Sequence, residues 1–220
     1  MNQRIGYFML LFFIFVSQFL YAQLSPPQVE EVYGGRIHWI DAASISPTTT
    51  RVYISTESAN SLFYTHVDHS VTPAKIDTFT AVPDVDSDDN FGSNLGDFSV
   101  DEVSGRVFFV NIGHLYSAST TAGSLNILEN AGVLSVKCYK GWLFYLKDQM
   151  GNLELHFGTI DSASGNFVED ANSPLTVTSG IPPGGPVSLA VNPANDSLYI
   201  FQAGTPPMIY CSSNSFQHLS

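Results

Sequence analysis

Beyond its first 22 residues the chain lacks helical periodicity: no stretch repeats apolar residues at i, i+3, i+4 and i+7 over three turns, so a helical bundle is excluded. Basic residues are scarce, 8 Lys and Arg against 20 Asp and Glu, for a formal net charge of −12. A surface of that sign repels nucleic acid and anionic lipid, and neither is expected as a partner. Charged residues of both signs make up only 13% of the chain, about half the ~25% usual in globular domains; Ser, Thr, Asn and Gly take the polar positions instead. Two cysteines leave one candidate bridge, Cys138 to Cys211, which an exported location permits, with a buried free thiol at Cys211 as the alternative. Also missing are a Gly-x-Ser-x-Gly elbow, a Gly-x-x-x-x-Gly-Lys loop and any second hydrophobic stretch of membrane-spanning length.

What is present begins with an export signal. Arg4 precedes the apolar run Ile5 to Val16, which weakens through Ser17 and Gln18 and ends on Ala22. A positive start, a short apolar stretch and a small terminal residue compose a secretory signal peptide, with cleavage expected after Ala22. Ser17 and Gln18 weigh against an uncleaved anchor. Residues 1–22 are therefore read as the signal, 23–35 as a linker and 36–220 as the folded part, with no stable membrane insertion after cleavage.

The rest alternates short Val-, Ile-, Phe- and Tyr-rich runs with clusters of Gly, Pro, Asn, Asp and Ser, the pattern of strands and turns. An aromatic residue recurs at Tyr53, Phe108, Phe144 and Tyr199, preceded by Val52, Val107, Leu143 and Leu198. Eight residues upstream of each stands Ile45, Val100, Val136 or Val191, and one further back Ser44, Ser99, Ser135 or Ala190. Each segment reads as strand, hairpin, strand, with turns at Pro47 to Thr50, Glu102 to Gly105, Cys138 to Gly141 and Pro193 to Ser197. A third strand is expected at Leu62 to Val67, Leu115 to Ala118, Leu153 to Phe157 and Met208 to Ser212, and a fourth at Lys75 to Thr80, Leu125 to Leu128 and around Phe167.

Four antiparallel strands per repeat predict an all-β chain, a β-propeller of about four blades near 36–82, 95–129, 131–170 and 186–220. The small residue would relieve crowding around the channel, and the aromatic would fill the space between blades. The pattern resembles the YWTD and NHL type of extracellular propeller, most clearly along Leu189-Ala190-Val191-Asn192-Pro193-Ala194-Asn195-Asp196-Ser197-Leu198-Tyr199-Ile200. The resemblance keeps the aromatic in Tyr53-Ile54-Ser55-Thr56, Phe108-Phe109-Val110-Asn111, Phe144-Tyr145-Leu146-Lys147 and Tyr199-Ile200-Phe201-Gln202, without the Trp or Asp of the motif. Propellers of that type close with six blades, so the chain reads as a fragment of a larger propeller or as a four-bladed ring. Arg36 to Asp41 is expected as an outer strand that would complete the last blade.

Candidate site residues are few. Asp84-Val85-Asp86-Ser87-Asp88-Asp89-Asn90-Phe91-Gly92 offers alternate carboxylates, Asp84, Asp86 and Asp88, of the kind Ca2+ takes, against a plain solvated loop; Ca2+ is the one cofactor considered. The Asn195-Asp196-Ser197 sequon in a hairpin turn marks Asn195 as a glycosylation candidate. His66 and His69 would face opposite sides of a strand and make a poor zinc site. The function expected from these features is a secreted or extracellular module, periplasmic or on the cell surface if bacterial, that binds a protein or glycan through loops at one end of the propeller. A Ca2+-assisted propeller hydrolase or lyase, and the ectodomain fragment of a receptor, are the alternatives.

Overall fold

A computed structural model describes residues 37–56, 62–85, 95–179, 186–204 and 207–212. All of them fall within the unit Tyr33–Ser220; the signal and linker readings of residues 1–35 lie outside the described residues, which contain strands and turns and no helix.

Four antiparallel sheets follow one another along the chain. The first holds β1 (Ile37–Ser46), β2 (Thr49–Thr56) and β3 (Leu62–Asp68), with β4 (Lys75–Ile76) and β5 (Thr80–Ala81) both paired to β3. The second holds β6 (Leu95–Val100), β7 (Val107–Asn111), β8 (His114–Ala118) and β9 (Asn126–Glu129). In the third, β10 (Val133–Tyr139), β11 (Trp142–Gln149) and β12 (Asn152–Ile160) are followed by β13 (Phe167–Glu169) and β14 (Leu175–Ser179), both paired to β12. The fourth holds β15 (Val187–Asn192), β16 (Ser197–Gln202) and β17 (Met208–Cys211).

Local chemistry explains the tight hairpins. Ile112-Gly113, Lys140-Gly141 and Met150-Gly151 all carry positive φ at both positions, as the type I′ turn demands; its twist matches that of the strands it joins. The β6–β7 hairpin uses a longer loop, in which the Asp101 carboxylate accepts hydrogen bonds from the backbone N–H and hydroxyl of Ser104. An Asp-x-x-Ser-Gly segment recurs at Asp161 to Gly165, where Asp161 accepts from the N–H groups of Ala163 and Ser164.

The sheets stack as propeller blades. Their first strands pack in series, β1 on β6, β6 on β10 and β10 on β15, so these strands are the innermost ones. Each apolar core lies between two consecutive sheets. Tyr53, Leu62 and Ala43 of the first sheet meet Phe98, Val100 and Phe109 of the second. Phe108, Val110 and Leu115 on the other face of the second sheet meet Val136, Cys138 and Tyr145 of the third. Phe144, Leu146, Leu155 and Phe157 then meet Leu189, Leu198 and Ile200 of the fourth. In each of the first three sheets the recurrent aromatic thus looks forward, toward the sheet that follows.

Three sequence expectations change. Ile37 to Asp41 is not an outer strand of the last blade: β1 runs from Ile37 to Ser46 and pairs with β2, while Arg36 lies outside the described residues. Cys138 and Tyr139 are strand residues, because the turn has shrunk to Lys140 and Gly141. The register also shifts: Phe108 faces Ser99 and Tyr199 faces Ala190, as the repeat implies, but Tyr53 faces Asp41 and Phe144 faces Lys137. The turn is centred farther from the aromatic in the first sheet, with a bulge between Ser44 and Ser46, and nearer to it in the third, which displaces Ser44 and Ser135 from their aromatics and puts charged residues there instead.

Candidate functional site

The innermost strands carry a polar cluster that links all four sheets. Asp41 on β1 accepts hydrogen bonds at Oδ2 from Ser99 Oγ at 3.1 Å and from the Val100 N–H at 3.0 Å, both on β6. One blade further on, Asp97 on β6 accepts at Oδ2 from Ser135 Oγ at 2.5 Å and from the Val136 N–H at 3.4 Å, on β10. Each serine passes the connection on: Ser99 Oγ accepts from the Cys138 N–H at 3.1 Å, and Ser135 Oγ accepts from the Leu189 N–H at 3.1 Å. The small residue of the repeat therefore does more than relieve crowding. At Ser99 and Ser135 its hydroxyl joins the blade before it to the blade after it.

Lys137 completes the cluster. From the third sheet its Nζ reaches Asp41 Oδ2 in the first at 3.5 Å, and both side chains keep solvent access, 31% and 26%. Burial pushes the Asp97 carboxyl above the usual aspartate range; hydrogen bonds from Ser135 and Val136 and the charge of Lys137 pull against that shift, and the Asp41 charge adds to it. Two carboxylates and an ammonium group on the inner strands of three successive blades thus lie within electrostatic reach of one another. Such a set can bind a polar ligand, and it can give and take protons on one.

A second constellation lies on the third sheet. His156, 8% exposed, hydrogen-bonds through Nδ1 with Glu169 Oε1 at 2.8 Å and stacks on Tyr145 at a centroid distance of 4.7 Å. Ser173 Oγ donates to the same Glu169 oxygen at 2.7 Å and accepts from the Phe157 N–H at 3.0 Å. Burial, with the charges of Glu129 and Glu169, raises the Tyr145 phenol above its ordinary range. This network fastens β13 and the segment after it to β12, and its histidine is closed off from solvent.

Of the residues singled out in the sequence, Asp84 is described and Asp86 and Asp88 lie outside the described residues. Asp84, at φ 64°, accepts the Gly123 N–H at 2.6 Å through Oδ2, so one of its oxygens already holds the β8–β9 turn. Among the described residues no group of three or more His, Cys, Asp and Glu is arranged to hold a metal ion. Asn195 is exposed in the β15–β16 turn, its side-chain oxygen accepting from the Ser197 N–H at 3.2 Å. The bridge between Cys138 and Cys211 is not formed. Cys138 is buried between the second and third sheets, where burial raises its thiol well above the ordinary range, while Cys211 is exposed on β17 of the fourth. His66 and His69 take separate partners, Arg51 Nε and Thr50 Oγ1.

Sequence reading missed Asp41, Asp97 and Lys137. The signal available was an acidic residue two or three positions before Ser99 and Ser44 in the repeat, at Asp97 and Asp41.

No protein family matches the chain, and no curated protein matches it. Among solved structures, the GH43 endo-arabinanase from Bacillus licheniformis is similar at 12% identity and a TM-score of 0.43, over 85% of this chain and 78% of that one. A thermostable family-43 glycoside hydrolase is similar at 11% identity and a TM-score of 0.36, over 76% of this chain and 83% of that one. Neither likeness bears on the axial cluster. The propeller stands on the four stacked sheets themselves.

Proposed function

We propose that the protein is an exported propeller hydrolase that acts at the axial cluster, with a glycosidic bond as its target. The convergence of Asp41 and Asp97 beside Lys137 carries this reading. Glycoside hydrolysis needs two carboxyl groups, one to protonate the leaving oxygen and one to act as base or nucleophile. Asp97, whose hold on a proton is strengthened by burial, suits the first role. Asp41, ion-paired with Lys137 and partly open to solvent, suits the second. The acidic net charge fits neutral or cationic polysaccharide better than acidic polymers.

A second reading rests on a different observation: Asp41 Oδ2 and Asp97 Oδ2 are both engaged by neighbouring blades. On that reading the cluster is a fastener, and the protein binds a protein or glycan without turnover. One experiment separates the two. Release of reducing ends by the full chain is measured on aryl glycosides and on a panel of polysaccharides, for wild type, Asp41→Asn and Asp97→Asn. Asparagine keeps an oxygen able to accept the Ser99 or Ser135 bond, so both variants should stay folded at the assay temperature while turnover drops by about 10²–10⁴-fold. Absence of turnover by wild type on every substrate would reject the hydrolase and leave retention on the same polysaccharides as the measurement for the binding module.

A further inference from the structure

Two carboxyl groups can cleave a glycosidic bond, but they do not by themselves hold a sugar chain over it. Binding sites for small organic groups pair a few polar residues with apolar and aromatic surface. Of the Phe, Tyr and Trp side chains among the described residues, only Trp39 and Phe201 are exposed, at 40% and 42%. Phe201 stands on β16, away from the inner strands. Trp39 stands on β1, the strand that carries Asp41.

Register places the indole beside that carboxylate. Trp39 faces Ser55 and Asp41 faces Tyr53, with regular pairing from one to the other. Two steps along a strand return to the same face, about 6–7 Å further on, so Trp39 and Asp41 project from the same side of β1. That side looks toward the second sheet, because Asp41 reaches Ser99 and Val100 there and Ala43 belongs to the core shared with it. β1 and β6 run in the same direction: Asp41 lies beside Ser99 and Val100, and Ile45, four residues on, lies beside Gly105 in the turn after β6. Upstream of Asp41, Trp39 therefore comes level with Asp97 and Phe98. The ladder also slips between Ile37 and Trp39, two steps on β1 opposing one on β2, and bulges of this kind re-aim side chains next to active sites.

One carboxylate thus follows the indole on its own strand, and the other lies level with it on the next. We infer, on the basis of the hydrolase reading, that Trp39 is a substrate-binding residue whose indole supports one neutral sugar ring while the adjoining glycosidic bond lies between Asp41 and Asp97. The negative face of an aromatic ring suits the slightly positive C–H groups on the apolar face of a sugar. An acidic sugar would gain the same stacking but would meet two carboxylates, so the substrate class is a neutral oligosaccharide chain. A support of this kind acts on ground state and transition state alike, and its loss falls on KM rather than on kcat.

The chain has two tryptophans, Trp39 and Trp142, so Trp142→Phe leaves Trp39 as the sole indole reporter in the full chain. Titration of that variant with neutral gluco-, xylo- and arabino-oligosaccharides should change its emission. Trp39→Ala should bind the same oligosaccharide at least about 10-fold more weakly by calorimetry. On any substrate that is turned over, it should raise KM by a similar factor with kcat within about twofold of wild type, and Trp39→Tyr, which keeps an aromatic face, should recover most of the loss. The emission of Trp39 needs no substitution at that site, so it decides the matter even where Trp39→Ala does not fold. Turnover with Trp39 emission unmoved, with KM unchanged in Trp39→Ala, or with kcat lost in place of KM would overturn the role of Trp39 and leave the hydrolase standing. Binding without turnover that moves the emission and is lost in Trp39→Ala would keep the sugar support and reject the hydrolase. Neither binding nor turnover on any of the oligosaccharides would overturn both.

Discussion

Asp97 illustrates how a single side chain ties folding to acidity here. Its folded pKa is raised above the unfolded value, chiefly by burial, with Lys137 and Asp41 as the charged neighbours. A carboxyl shifted in that direction binds its proton more tightly in the folded state, so its contribution to stability is fully present below the unfolded pKa and is lost as pH rises through the folded one. Asparagine cannot ionise and still accepts the Ser135 hydroxyl. Asp97→Asn should therefore match wild type most closely in acid and gain relative stability as pH climbs past the ordinary aspartate range, read from urea midpoints between about pH 4 and pH 7. A gap that narrows with rising pH would contradict the burial account. The same residue marks a limit of the sequence. An acidic residue two positions before Ser99 does not by itself announce an axial carboxylate, since the position of Asp97 depends on the irregular register between Leu95 and Phe98.

Elements were far more legible than residues. Alternating β-branched and aromatic runs located the first three strands of every sheet, because one face of each strand must be apolar to meet the next blade. The fourth strand was legible only as a region: it is broken into β4 and β5 in the first sheet and into β13 and β14 in the third. Turn position was the costlier ambiguity. Turns centred at Pro47-Thr48 in the first sheet and Lys140-Gly141 in the third moved Asp41 and Lys137 opposite the aromatics, and a fixed offset in sequence cannot reveal where between the strands the turn is centred. The turns themselves permit a controlled comparison. Gly151 has φ 84° and nothing within 4 Å of an added Cβ, so Gly151→Ala should cost about 1–2 kcal/mol of backbone strain alone. Gly132, at φ 78°, would press its Cβ against the Asp148 carbonyl oxygen at 2.7 Å. Gly132→Ala should lower the urea midpoint further than Gly151→Ala; equal shifts would mean that the β10 entry yields without resistance.

For the molecule as a whole, the repeat disclosed the architecture because stacked blades impose the same demand on every copy. It could not disclose the axial cluster, which exists only once strands distant in sequence are brought side by side: Asp41 and Lys137 meet across 96 positions of the chain. Every apolar cluster belongs to two consecutive sheets and none to a single one. Such an array behaves as a short row of mutually dependent units, in which a member with two neighbours opens less often than a member with one. Amide exchange should accordingly be slowest along β7 and β11 and fastest along β16, a gradient toward the fourth sheet that uniform protection would refute. The fourth blade is thus the place where a protease, a heat step or a new partner would first find loosened chain.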